Sequence, residues 1–195
     1  MSLTSYTMEY LRLILFLGLV LHKLLWEVLK IRDRRLRPSR KAIRSSWPVK
    51  IVKGAILVFL GLQTLFLDIF PISDQPGHLR LIGTSLYFAG LATAVSGRLQ
   101  LGKNWADLED YQVLPEQSVV TTGIYGYIRH PIYAGDILLL AGLELALNSW
   151  LVLGVCIPLA VATRQALKEE ALLARVFPNY DAYCARTKRF IPFIF

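Results

Sequence analysis

Polar residues in this chain are gathered into a few blocks separated by long apolar runs, a pattern that predicts helices rather than strands. Five apolar stretches stand out: Leu11 to Leu29, Gly54 to Phe70, Leu81 to Gly97, Ile132 to Leu147 and Trp150 to Ala166. A helix needs about 20 largely apolar residues to cross roughly 30 Å of hydrocarbon, so the pattern predicts about five transmembrane helices. The first stretch is the least clean, because Arg12, His22, Lys23 and Glu27 interrupt it. Its charged ends must snorkel or face other helices, and Lys23 is spaced to pair with Glu27 one turn on. His22 reads as an interfacial or bundle-facing residue rather than a ligand. Between the last two stretches stand only Asn148 and Ser149, which predicts a tight helical hairpin. Glycines recur seven apart at Gly83, Gly90 and Gly97, at Gly54 and Gly61, and at Gly135 and Gly142. Small residues at helical spacing let backbones approach closely in lipid, so packing is their expected role.

The polar blocks set an orientation. From Lys30 to Lys53 there are ten Lys or Arg residues against the single Asp33, and an excess of basic residues marks a cytoplasmic loop. The turn-rich PISDQPGH at Pro71 to His78 is then outside, while Arg98 to His130 and the tail from Leu167 to Phe195 are cytoplasmic. The apolar ending RFIPFIF is expected to lie on or dip into the interface. These assignments put the N-terminus outside and the C-terminus inside. The opening MSLTSYTMEY lacks a basic start and a small-residue cleavage site, so the first apolar segment is expected to remain as an anchor.

Composition supports this picture. Of 195 residues, 54% are hydrophobic, too many for an ordinary soluble domain, and the length suits one membrane-embedded domain. The expected fold is all-α: a polytopic helical bundle with a cytoplasmic C-terminal helical tail. A net charge of +8 could signal nucleic acid, but the basic residues lie between apolar segments. Anionic membrane lipid is therefore the expected partner and nucleic acid is not. Cys156 and Cys184 have neither metal-ligand spacing nor a disulfide framework, and no metal is expected.

Candidate chemistry centres on GIYGYIRHPIYAG at Gly123 to Gly135, with Glu169, Glu170 and Tyr180 some forty residues on. Pro131 suits the first turn of a helix and biases His130 towards extended backbone, so Arg129 and His130 fall on the entry loop of that helix. If the following hairpin turns about Asn148 and Ser149, residues equally far from the turn share a depth, and Tyr133 matches Arg164. Arg129, His130, Tyr133, Asp136 and Arg164 then gather at the cytoplasmic end, with Glu169 and Glu170 just beyond. Charged groups at such depth are costly and are functional candidates by default, although Asp136 and Arg164 could simply neutralise each other. Glu144, close to the outer turn, is expected to snorkel. Cations beside tyrosines and carboxylates suit a zwitterionic ligand, and apolar helix walls suit a greasy second substrate. No phosphate loop, zinc spacing or nucleophile elbow is present. The residues alone support an intramembrane transferase or reductase acting on a lipid-like substrate.

From Leu101 onward the chain resembles the isoprenylcysteine carboxyl methyltransferase family, within a wider group that includes phospholipid N-methyltransferases. The matching pieces are LGKNW at Leu101 to Trp105, VVTTGIYGYIRHPIYAG at Val119 to Gly135, KEEALL at Lys168 to Leu173, FPNYDAY at Phe177 to Tyr183, and the IPFI ending. The resemblance implies an S-adenosylmethionine-dependent methyltransferase acting on the carboxylate of a prenylcysteine-like lipophilic substrate. Residues 1–100 would supply three transmembrane helices and residues 101–195 the cofactor-binding catalytic half. It implies cofactor contacts at Gln117, where family members often carry histidine, and at Ser118, Val119 and Val120. Further contacts fall at Tyr125, His130, Pro131, Ile132, Tyr133 and Glu169 or Glu170. Arg164 is the nearest match to the family arginine that holds the substrate carboxylate, with Arg129 and His130 on the cofactor carboxylate and a Glu on its ammonium. It leaves the oligomeric state open. Two other readings share parts of the pattern. A phospholipid N-methyltransferase would need Asp136, Glu170 or His130 as a base. Sterol reductases share RHPxYxGD, as at Arg129 to Asp136, but bind NADPH and usually carry more membrane segments.

Overall fold

A computed structural model describes residues 3–36, 47–105 and 118–192. It is built of α1 (Leu3–Leu36), α2 (Trp47–Phe66), α3 (Gly77–Leu101), α4 (Pro131–Ala146), α5 (Cys156–Val176) and α6 (Tyr180–Arg186), with 3₁₀ turns at Gly102–Asn104, Gly123–Gly126 and Trp150–Val155. Extended pairing among the described residues amounts to two isolated bridges, Pro71 with Ser149 and Ile128 with Lys188. Among the described residues, three helical stretches are long and apolar enough to cross a membrane: Trp47–Phe66, Gly77–Leu101 and Trp150–Val176. The two other expected spans differ for separate reasons. Charges interrupt α1, and α4, with 16 residues, measures about 24 Å at 1.5 Å per residue. Large apolar side chains such as Ile51, Val58 and Phe66 on α2, and Ile157 and Val161 on α5, are exposed, as hydrocarbon-facing surfaces require.

The chain forms two compact units, one of Met1–Tyr87 with Gly142–Val152, the other of Phe88–Ala141 with Leu153–Phe195. In the first, a polar network crosses the apolar interior. Buried Arg12 donates to the carbonyls of Gln63 (3.1 Å), Thr64 (3.1 Å) and Leu67 (3.3 Å), and pairs with Asp68. These carbonyls end α2, where a cation is favoured by the helix dipole. Glu144 does not snorkel as expected; it is buried and accepts a 2.7 Å hydrogen bond from Gln63 Nε2. The expected pairing of Lys23 with Glu27 is made at 2.6 Å. At the hairpin turn Asn148 adopts φ 58°, a left-handed conformation that asparagine tolerates better than most residues. Its side chain brackets Ser73, accepting from the Ser73 N–H at 3.1 Å and donating to its carbonyl at 2.7 Å.

Both units use glycine to bring α3 and α4 into backbone contact. In the first unit a Cβ on Gly83 would lie 2.2 Å from the Ala146 nitrogen, and one on Gly142 would lie 2.2 Å from the Tyr87 nitrogen. In the second, a Cβ on Gly90 would lie 2.3 Å from the Leu139 nitrogen and one on Gly135 2.4 Å from that of Ala94. No side chain fits at such distances, and the opposing atoms are backbone, which cannot swing away. The seven-residue spacing therefore has the expected packing role on α3 and α4. On α2 it does not: a Cβ on Gly54 would meet nothing within 4 Å, and one on Gly61 only the Phe16 ring at 3.6 Å.

Gly90→Ala and Gly135→Ala should each lower the melting temperature in detergent, in line with overpacking costs of about 1–3 kcal/mol. Gly54→Ala, in open space within a helix, should be neutral or stabilising by up to about 1 kcal/mol. Equal shifts for all three in thermal unfolding would contradict a seam confined to α3 and α4.

Candidate active site

The second unit places the sequence-predicted cluster on three segments: the loop entering α4, the C-terminal part of α5, and the tail after α6. Gly123 starts the loop at φ 60° with the Gln100 Oε1 so close that a Cβ there would come within 2.3 Å. Any other residue would lose both the conformation and the hydrogen bond from Ile124 N to Gln100 Oε1 at 2.9 Å. Tyr125 is buried, its hydroxyl donating to the Gly97 carbonyl at 3.2 Å and its own carbonyl accepting from Tyr183 Oη at 2.8 Å. Pro131 opens α4, as its missing N–H favours, and packs where a Cβ on Gly97 would stand 3.0 Å from it. Beside this, the Arg98 guanidinium lies 4.1 Å over the Trp105 ring, and Asn104 Oδ1 accepts the Ser118 N–H at 2.9 Å. The LGKNW segment thereby orients the start of the next one.

Glu170 is the focus of the charged groups. Its Oε1 accepts from Arg129 Nε at 2.9 Å and Arg189 Nε at 3.1 Å and lies 3.0 Å from His130 Nε2; its Oε2 accepts from Arg189 Nη2 at 2.8 Å. Arg129 also donates to the carbonyls of Cys184, at 3.1 Å, and Thr187, capping the C-terminal end of α6. The tail lies along the loop, with Arg129 N–H bonded to Lys188 O at 2.8 Å and His130 N–H to Arg189 O at 3.1 Å. Glu169 is placed differently. It accepts from the Tyr133 hydroxyl and from Gln165 Nε2 at 3.3 Å, and its Oε2 lies 3.6 Å from His130 Nδ1. Its side chain is 35% exposed against 13% for Glu170. The imidazole stacks on Tyr133 (centroids 5.6 Å, 12° between planes) and meets Phe190 at 5.9 Å.

Next to this cluster, Ser118, Val119 and Thr121 face Phe177, Tyr180, Tyr183 and Arg186 across a cleft of about 310 Å³, the lower end of the range for small-molecule sites. Burial pushes the Tyr183 phenol up to about 12 and raises those of Tyr125 and Tyr180 further, so all three are neutral donors at physiological pH. Burial likewise raises the Cys184 thiol. The hydrogen bonds to Glu170 raise Arg189 further above its ordinary value. The cleft thus combines aromatic walls, polar groups and a cation at Arg186. No group of three or more His, Cys, Asp or Glu placed to hold a metal occurs among the described residues.

A family model described as phospholipid methyltransferase matches residues 79–180, which include the entry loop, α4 and the glutamates of α5 and stop at the start of α6. The chain belongs to the phospholipid methyltransferase family. Among curated proteins it is similar to the nickel-cobalt-cadmium resistance protein NccN of Alcaligenes xylosoxydans xylosoxydans, 28% identical over 68% of this chain and 64% of that one. It is also similar to the cobalt-zinc-cadmium resistance protein CzcN of Cupriavidus metallidurans, 30% identical over 60% of this chain and 55% of that one. The match thus spans less than two thirds of either relative. Among solved structures, a eukaryotic intramembrane Ras methyltransferase, isoprenylcysteine carboxyl methyltransferase, superposes with a TM-score of 0.56 at 21% identity, covering 78% of this chain and 55% of that one. The fold is therefore shared with that enzyme, and this member of the phospholipid methyltransferase family is an integral membrane protein.

Of the residues singled out from sequence, Arg129, His130, Tyr133, Glu169 and Glu170 come together as expected. Ser118 and Val119 line the cleft, and Val120 follows them, half-buried. Ile132 packs with Pro131 near Gly97, and Tyr125 ties the loop to α3. Gln117 lies outside the described residues. Arg164 does not face Tyr133. It is exposed and makes no ion pair among the described residues, so the anticipated Asp136–Arg164 neutralisation is absent. The hairpin is not two uninterrupted α-helices about Asn148 and Ser149, since Trp150–Val155 is a 3₁₀ stretch and α5 begins at Cys156, and the Tyr133 hydroxyl meets Glu169 where Arg164 was expected. Arg189 and Phe190 were assigned to the lipid interface; instead Phe190 is buried and Arg189 pairs with Glu170. The signal for Arg189 was charge balance, since Arg129 alone left the glutamate pair one cation short.

Glu170→Ala should destabilise the protein by about 3 kcal/mol or more, because it strands buried cations. Glu169→Ala, losing hydrogen bonds at a partly exposed carboxylate, should cost about 1 kcal/mol. Thermal unfolding in detergent distinguishes them, and a reversed order would contradict the roles drawn from the geometry.

Proposed function

We propose that this protein is an S-adenosylmethionine-dependent membrane methyltransferase acting on the carboxylate of a prenylcysteine-like lipophilic substrate. The observation that carries the reading is the unequal placement of two adjacent glutamates. Glu170 is consumed by Arg129, His130 and Arg189, whereas Glu169 keeps open carboxylate surface beside Tyr133 and the loop that leads to the cleft. Glu169 would take the cofactor ammonium, Arg186 its carboxylate, and the Ser118–Val120 backbone with the aromatic cleft wall its nucleoside. When bound, S-adenosylmethionine supplies an electrophilic sulfonium methyl. Arg129 and Glu170 act as framework, fixing His130 and α6.

The acceptor carboxylate is ionised at neutral pH, since an α-carboxyl titrates near 3.5, so no general base is needed. What the protein must do is exclude water and align the nucleophile, which can contribute several kcal/mol. Arg164, exposed near the apolar Val161 and Leu167 surface of α5, is a cation suited to such a headgroup. The reading carries the five crossings with it, the N-terminus outside and residues 101–195 forming the cofactor-binding catalytic half, with its site on the cytoplasmic side.

A second reading, methylation of an ethanolamine lipid, is favoured by the position of His130 between Glu169 and Glu170, 3.6 and 3.0 Å from its two ring nitrogens. Such a bridge is a route for the proton that an ammonium acceptor must lose. Methyl transfer assayed on prenylcysteine against ethanolamine lipid separates the two: a rate that climbs steeply with pH on the amine supports the second.

S-adenosylhomocysteine should raise the melting temperature and NADPH should not. Glu169→Gln should weaken S-adenosylmethionine binding by about tenfold, the scale of one charge-assisted hydrogen bond. Arg164→Ala should raise the acceptor KM and leave cofactor binding intact. Stabilisation by NADPH alone would overturn the methyltransferase reading, and an unchanged acceptor KM would remove Arg164 from it.

A further inference from the structure

The tail after α6 does more than follow the catalytic segments. Arg189 grips both oxygens of Glu170, through Nε at 3.1 Å and Nη2 at 2.8 Å, while its carbonyl accepts the His130 N–H at 3.1 Å. Phe190, buried, lies 5.9 Å from the His130 ring on one side while Tyr133 stacks on it at 5.6 Å. The bridge of Lys188 with Ile128 and the buried Thr187 hydroxyl, which donates to the Tyr183 carbonyl at 2.7 Å, keep the strap in line. One short segment thus holds the backbone of His130, walls in its ring and occupies the carboxylate that would otherwise compete with Glu169.

We propose that Arg189 is a positioning residue: with Phe190 it latches the strap so that His130 is fixed between the two glutamates and Glu169 alone is presented to the ligand. This rests on the methyltransferase reading above. The planar guanidinium suits the task because two parallel hydrogen bonds define an angle as well as a distance, which a lysine ammonium cannot do. The charged groups facing His130 are then Glu169 and Glu170 from α5, Arg129 from the loop and Arg189 from the strap, with the Tyr133 phenol from α4.

The test uses the full chain in detergent or nanodiscs, comparing wild type with Arg189→Ala, Arg189→Lys and Phe190→Ala. Arg189→Ala is expected to raise the KM for S-adenosylmethionine by about tenfold, the scale of charged hydrogen bonds lost, while the acceptor KM stays within about twofold. Added methylguanidinium should recover part of the loss, and Arg189→Lys should retain correct folding with intermediate KM. In ¹⁵N-histidine NMR spectra the His130 ring signals should move in Arg189→Ala and Phe190→Ala without any ligand present, while those of His22 and His78 stay. A lowered melting temperature with unchanged KM and unmoved His130 signals would overturn the inference and leave Arg189 a fold-stabilising residue. His130 signals that move in the variants, together with a wild type that S-adenosylhomocysteine does not stabilise, would support the latch and count against the methyltransferase reading instead.

Discussion

The carboxylate of Glu170 is the point on which three separately encoded segments depend. A lone carboxylate at this depth would be expensive to bury, and two arginines with a histidine close by would repel one another without it. Together they hydrogen-bond both oxygens of the carboxylate, and a satisfied buried network of this kind rigidifies what it joins. Because Arg129 comes from the loop, Arg189 from the tail and Glu170 from α5, closing the ion cluster fixes all three relative to His130. The neutral phenols of Tyr125 and Tyr183 extend the same locking outward through hydrogen bonds to backbone carbonyls.

This explains why adjacent residues of like chemistry do different work. Glu169 and Glu170 differ by about 100° around α5, which turns one toward the cations and leaves the other partly open beside Tyr133. Here Glu170 is taken up by hydrogen bonds to Arg129, His130 and Arg189, whereas Glu169 keeps open surface.

Backbone proximity supplies the rigidity on which this relies. Helices in lipid gain little from the hydrophobic effect between them, so close packing and hydrogen bonds must hold them. Gly90 and Gly135 let α3 and α4 touch main chain to main chain in the unit that carries the site, which fixes Pro131 and the start of α4. Gly54 shows that the same residue at the same spacing has no such role where no partner approaches.

Much of this was legible in the residues taken in order. Apolar runs of sufficient length dictate membrane helices because unsatisfied backbone cannot cross hydrocarbon, and α2, α3 and the hairpin about Asn148 follow from that alone. Pro131 could be placed at a helix start, and Arg129, His130, Tyr133 and the glutamate pair could be gathered at one end, because local conformation and helix rise are properties of short segments. The partners of those residues were not legible. A six-residue 3₁₀ stretch at Trp150–Val155 leaves no periodic trace in an apolar run, and the partner of the Tyr133 hydroxyl is Glu169 rather than Arg164. The tail reads as an amphipathic ending, and only folding reveals that Arg189 has a buried carboxylate to meet. Sequence by itself determined that the long apolar runs form helices and which positions carry the charge. Tertiary structure decided which charges neutralise each other and which carboxylate keeps open surface, because that choice depends on register between distant segments to within a single helical turn.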